Sequence, residues 1–208
     1  MINSNLSSLK NLLITKLRNK NTSRAEFRYT SMQLASLLAL ETESIIETKK
    51  IDIETPITTT TGLQIKKNII LIPILRSGLA LLPAFIKQFP DASIGVVGMK
   101  RDEKTAIAHL YYKNIPKIST SDQVIILDPM IATGGSGTDT IKIITDMGID
   151  QKQIIFVGII AAPEGIKAMK NAYPDIKIIV AVTDEGLTSN KFITPGLGDF
   201  GDRFFGTE

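Results

Sequence analysis

The stretch Val124 to Thr138, VIILDPMIATGGSGT, constrains this 208-residue chain more than any other. A β-branched apolar run, Val124 to Leu127, ends at Asp128-Pro129 and passes through a Gly/Ser/Thr turn into a helical segment, Thr138 to Met147. Backbone N–H groups of Thr133, Gly134, Gly135 and Ser136 at a helix start are donors without intrahelical partners. The helix dipole adds partial positive charge there, and glycine lets the backbone approach an anion closely. A Gly-rich turn alone is often punctuation; an acid, the turn and the flanking elements in this order describe an anion cradle. No Lys follows the last glycine, so the loop is not of the Walker A type, and the Rossmann spacing is absent too.

From Asn68 onward strands alternate with helices, the signature of an α/β sheet. The pattern predicts strands at 69–74, 94–99, 124–127, 154–160 and 178–183, and helices at 79–89, 138–147 and 163–172. Residues 107–113 read as a further strand running back antiparallel. Ligands in such sheets sit beyond the carboxyl ends of the strands, where strand order reverses. The segments that follow the strands therefore carry the interest. After the first comes Pro73-Ile74-Leu75-Arg76-Ser77-Gly78, a turn able to bind a diphosphate through amides and the Arg76 guanidinium. After the second comes the charge run Lys100-Arg101-Asp102-Glu103-Lys104-Thr105. The fourth and fifth end in Ala161-Ala162-Pro163-Glu164-Gly165 and Thr183-Asp184-Glu185-Gly186, where Pro163 suits a first helical position and Glu164 the dipole of a first turn.

Residues 1–48 read as helical, with Leu6, Leu9, Leu13 and Leu17 at helical spacing and a second segment at about 23–40 carrying Phe27, Met32, Leu34, Leu37 and Leu38. The basic residues here, Lys10, Lys16, Arg18, Lys20, Arg24 and Arg28, read as a solvated face. Residues 51–65 alternate around Pro56 and Gly62 and suggest a β-hairpin arm. The tail from Phe192 to Arg203 is too rich in glycine for a helix; Gly196, Gly198 and Gly201 imply turning backbone whose amides and carbonyls can read a flat base edge.

The sequence has 24 basic and 21 acidic residues, a net +3, which is too mild to argue for nucleic acid. Without cysteine it has no disulfide framework, thiolate nucleophile or thiolate metal site, and one histidine, His109, rules out a multi-histidine centre. His109 lies in no motif and reads as structural or solvated. The ends show no targeting signal and no run approaches a membrane span, so a cytoplasmic protein without a membrane is expected.

Four strings resemble those of the uracil phosphoribosyltransferases, within the type I phosphoribosyltransferase superfamily. DPMIATGGS is similar to their 5-phosphoribosyl-1-diphosphate (PRPP) loop, where Asp128-Pro129 stands in place of the paired acids used by most of the superfamily. PILRSG is close to their PILRAG diphosphate loop, and Met99 to Thr105 to their MYRNEET-like mobile loop. PGLGDFGDR with FGT resembles their uracil-binding hood, and AAPEGI extends the match.

The resemblance, from about residue 20 to 208, implies a three-layer α/β phosphoribosyltransferase fold. Its central sheet would be mostly parallel with one antiparallel strand. The chain would form one domain, with helices and arm at 1–66, the core at 67–186 and the hood at 187–208. The implied reaction moves the 5-phosphoribosyl group of PRPP to N1 of uracil, giving UMP and diphosphate. Catalytic work then falls to Arg76, Arg101, Asp128 and Asp199. PRPP binding involves those four with Pro129, Met130, Ile131, Ala132, Thr133, Gly134, Gly135 and Ser136; Ile193, Gly198, Asp199 and Phe200 take the uracil-contact positions. Phe192 stands where many relatives carry Tyr. Mg2+ is implied, held mainly through PRPP, as are GTP as an effector in some members and a homodimer or larger homo-oligomer. Two other readings stay open: a nucleotide sensor of the same fold without turnover, and a nucleic-acid-binding protein using the N-terminal helices, which offer only Phe27 and Tyr29 for stacking.

Overall fold

The structure is a computed structural model and describes residues 6–101 and 108–207. Two helices lead, α1 (Leu6–Arg18) and α2 (Arg24–Ser44), the second capped by Ser23, whose Oγ accepts the Glu26 N–H. A β-hairpin of β1 (Thr48–Glu54) and β2 (Thr59–Ile65) follows, closed by Thr55, whose hydroxyl accepts the N–H groups of Ile57 and Thr58. The α/β part comprises β3 (Ile69–Leu75), a 3-10 turn at Ser77–Ala80, α3 (Leu82–Gln88), β4 (Ser93–Ile94), β5 (Val96–Arg101), β6 (Ala108–Asn114) and β7 (Gln123–Leu127). It continues through β8 (Met130–Ile131), α4 (Gly135–Asp146), β9 (Ile154–Ala161), α5 (Pro163–Ala172) and β10 (Lys177–Thr183). The chain closes with β11 (Gly186–Leu187), β12 (Ile193–Thr194) and the short α6 (Phe200–Phe205).

The main sheet runs β10-β9-β7-β3-β5-β6, with β4 on β3 and β8 on β9. Every pairing in it is parallel except β5 with β6, the antiparallel return expected for 107–113. Side-chain alternation divides the core in two. Ile125 and Leu127 of β7 with Ile155 and Val157 of β9 meet Leu17, Phe27, Leu34 and Phe85 from α1, α2 and α3. The intervening Val124, Ile126, Ile154 and Phe156 meet Ile141 and Ile144 of α4 and Met169 of α5. Strands buried on both faces explain the unbroken apolar runs at 69–72 and 154–160.

Local differences from the expected pattern have physical causes. The helix expected at 79–89 is split, since a 3-10 turn absorbs the approach and Pro83 lies in the first turn of α3. Leu9 and Met32, placed by spacing on the apolar faces, are exposed, and Ile14 is buried instead. Leu13, Leu17, Phe27, Leu34 and Leu38 are buried as the periodicity requires. The largest correction is in the tail, where the glycine content argued against a helix. Gly201 lies buried inside α6, which Asp199 caps by accepting the Asp202 N–H at 2.9 Å and Gly206 ends in the left-handed region.

Candidate active site

Strand order reverses between β3 and β7, which are neighbours although far apart in sequence. Arg76 follows β3 and Asp128 follows β7, so both stand at the switch point of the sheet. A cleft of about 160 Å3 opens there. One wall is the segment Asp128 and Met130 to Gly137; the other is Lys191, Phe192, Ile193, Gly198 and Asp199 from the C-terminal hood, with Phe156 and Met169 also contributing.

The cradle is more compact than the sequence suggests. Gly134, at φ 81° in the left-handed region, is the residue before α4, so the helix begins at Gly135 rather than Thr138. No side chain caps that end, and Gly135, Ser136 and Gly137 of the first turn line the cleft, where first-turn amides lack an intrahelical acceptor and are backed by the helix dipole. The loop is pressed against the start of α5. A Cβ on Gly165 would lie 2.3 Å from the Ala132 carbonyl oxygen, and one on Gly134 would lie 2.6 Å from the Gly165 carbonyl oxygen. The AAPEGI string thus has a task that its sequence did not reveal: its glycine lets α5 support the loop. Glu164 beside it accepts the Leu187 N–H at 3.1 Å and ties the hood hairpin to the same helix.

Asp128 sits half-buried at the end of β7. Desolvation pushes its carboxyl up to about 7, against a weaker opposing pull from the Met130 N–H at 3.4 Å. A carboxyl so placed is an avid acceptor for hydroxyl donors, which would restore the solvation it has lost. Pro129 is buried and does not line the cleft; its carbonyl accepts the N–H groups of Ile159 and Ile160 at 2.9 Å each.

Two arginines were expected to hold a departing anion. Arg76 does not line the cleft: its guanidinium is half exposed, 3.6 Å from the Asp202 carboxylate, donates to the Thr207 hydroxyl at 3.2 Å and lies over the Phe205 ring. The Leu75–Arg76 peptide bond is cis. Arg101 ends β5, beside β3, and Asp102 to Thr105 of the charged loop lie outside the described residues. His109 is exposed on β6 opposite Lys100 and does not line the cleft.

In the hood, Ile193, Gly198 and Asp199 line the cleft and Phe200 does not. The Phe200 ring is wholly buried, 5.2 Å from Phe27 and stacked at 5.7 Å on Phe204, so only its backbone is left to meet a base. Asp199 caps α6 while lining the cleft, a structural duty additional to any ligand contact.

The hood's anchors escaped the sequence reading, which placed Arg18 on a solvated face. Arg18 is paired with buried Asp184 through both carboxylate oxygens, and donates to the Gly196 carbonyl at 2.8 Å. Asp184 also accepts the Gly196 N–H at 2.8 Å. Burial alone would push the Asp184 carboxyl up; the Arg18 and Gly196 bonds together outweigh it and hold the group below its ordinary value. Arg203 donates to the carbonyls of Leu17, Asn19 and Leu197 and lies 4.3 Å from the centre of the Phe27 ring. The end of α1 and the hood are therefore one hydrogen-bonded unit. The signal available in sequence was the basic pair Lys16 and Arg18 in the last turn of α1, with no acid in that helix.

Solved structures place this architecture in a class. A hypoxanthine-guanine phosphoribosyltransferase from Bacillus anthracis superposes with a TM-score of 0.52 at 14% identity, covering 77% of this chain and 80% of its own, so the fold is that of the phosphoribosyltransferases. The AQ2163 protein of Aquifex aeolicus matches more fully, with a TM-score of 0.86 at 33% identity over 98% and 96% of the two chains. The sequence model described as Uracil phosphoribosyltransferase matches residues 6–207. Proteins named uracil phosphoribosyltransferase from Malacoplasma penetrans and Limosilactobacillus reuteri are 44% and 41% identical, covering 94% of this chain and 94% and 93% of theirs. The chain belongs to the uracil phosphoribosyltransferase family.

Proposed function

We propose that this protein transfers the 5-phosphoribosyl group of PRPP to N1 of uracil, releasing diphosphate and leaving UMP. The observation that carries the reading is the cleft itself, in which the half-buried, desolvated Asp128 carboxyl and an uncapped helix start lie across from a glycine-bearing hood. The 5-phosphate rests on the first-turn amides of α4, and Asp128 accepts from the ribose hydroxyls. Uracil lies against Ile193 and Gly198, its edge read by backbone groups of the hood. Positive charge develops at the anomeric carbon as diphosphate leaves, so rate comes from alignment and from holding leaving-group charge. Arg76 follows β3, Arg101 ends the adjacent β5, and both serve the diphosphate; Arg76 exchanges its exposed contact with Asp202 for that anion.

The carboxylates that line the cleft, Asp128 and Asp199, offer oxygen ligands, which suits magnesium, and with Asp128 the one carboxylate at the strand end most of the ion's ligands would come from PRPP and water. Bound there, magnesium neutralises diphosphate charge. We further assign the protein to the cytoplasm and to a homodimer or larger homo-oligomer, with GTP a candidate effector. No helix among the described residues is long and apolar enough to cross a membrane.

The test is product structure: protein, PRPP, magnesium and 15N-labelled uracil, followed by NMR. Ribosylation at N1 with stoichiometric diphosphate is expected. Absence of product, with and without GTP, in protein that binds UMP would instead make it a nucleotide sensor of the same fold.

A further inference from the structure

Lys191 is the single non-glycine residue among those described with a positive φ, 64°. Left-handed backbone is costly for a residue with a Cβ, and such strain persists where the surroundings hold it. Here they do: the Lys191 N–H donates to the Thr188 carbonyl at 2.9 Å, the Phe192 N–H to the Thr188 hydroxyl at 3.1 Å, and the Thr188 N–H to the Phe192 carbonyl at 2.8 Å. This turn joins β11 to β12 and sets Lys191 on the hood wall of the cleft.

Among the described residues lining the cleft, Lys191 is the one cation, against the carboxyl groups of Asp128 and Asp199. Its ammonium has no carboxylate partner among the described residues. Arg76, the cation expected after β3, is instead held by Asp202 and Thr207. A cleft with a cradle of neutral amides on one wall and an unpaired ammonium on the other is arranged for a phosphate monoester between them.

We propose that Lys191 is a phosphate-recognition residue of this chain, its ammonium closing from the hood onto the 5-phosphate seated on the amides of Gly135 to Gly137. This rests on the reading of the cleft as a nucleotide site. Hood and cradle are then joined through the ligand, and the left-handed turn is the means by which the hood presents the charge.

The test compares UMP with uridine, which lacks the phosphate, by calorimetry on the wild type, Lys191→Asn and Lys191→Arg. Asn tolerates the left-handed region without charge, and Arg keeps the charge. Lys191→Asn is expected to weaken UMP about tenfold at low salt and leave uridine unchanged, the gap closing toward 1 M salt as charge is screened. Lys191→Arg is expected to recover most of the loss, and the melting temperature of Lys191→Asn not to fall. Equal weakening of UMP and uridine would make Lys191 a structural turn residue and overturn the proposal; so would unchanged UMP affinity, or a wild type that binds UMP no tighter than uridine. Synthesis of UMP is assayed separately on the wild type, so failure of the catalytic reading is distinguishable from failure of this one.

Discussion

Asp128 concentrates the conflict between stability and function. Its carboxyl titrates near 3.8 when free and about 7 in the fold, a separation corresponding to about 4 kcal/mol. Between those values the folded chain holds a proton that the unfolded chain has shed, so stability falls as pH rises through this window and the penalty is complete above about 7. Asp128→Asn is therefore expected to melt higher than the wild type at pH 8, with the difference shrinking toward pH 4, while UMP synthesis is lost. A melting curve at each pH checks this; a variant less stable at pH 8 would contradict the desolvation account. Asp199 calls for two substitutions. Asp199→Ala removes both the carboxylate and the α6 cap, costing about 1 kcal/mol, whereas Asp199→Ser keeps a cap. If the carboxylate serves the ligand, both variants lose activity and only the first loses stability. Asp128 was legible in sequence because a strand end and a glycine turn locate it. The burial of the Phe200 ring was not, since its partner Phe27 is remote in the chain.

Among elements, the hood depends on α1 more than its sequence suggests. Arg18→Ala strands the buried Asp184 carboxylate, and breaking such a pair costs roughly 3 kcal/mol. The depressed Asp184 titration gives the sign: the pair's stabilisation is present above the ordinary carboxylate range and disappears as pH falls through the folded value. Thermal melts should show the deficit of Arg18→Ala at pH 7 and its loss in acid, together with a raised KM for uracil as the hood loosens. At the cradle, Gly165→Ala drives a Cβ into the Ala132 carbonyl, so the loop must shift; roughly 1–3 kcal/mol of stability and most PRPP affinity are expected to go, measured by denaturant titration and calorimetry. Helix periodicity found α1, α2, α4 and α5 because each buries a face. It missed α6, a short helix fixed by its cap and by packing of Phe200 rather than by an apolar stripe.

At the scale of the molecule, alternation of strand and helix made the three layers legible, because strands buried on both faces leave unbroken apolar runs. What covers the outside was not. Ile57 at the hairpin tip is 94% exposed and Leu63 70%, with Leu12, Tyr29 and Met32 exposed on the first two helices. Such surfaces favour association; if they form the proposed homo-oligomer, Ile57→Asp with Leu63→Asp is expected to lower its sedimentation coefficient while leaving the fold intact by circular dichroism.

The claim that the cleft is a pyrimidine phosphoribosyl-transfer site is tested most directly by initial rates with PRPP, magnesium and a panel of uracil, cytosine, orotate, hypoxanthine and adenine. UMP formed from uracil, with no nucleotide from the other four, is the predicted result. Turnover of a purine or of orotate in preference to uracil, or none with any base in protein that binds UMP, would contradict it.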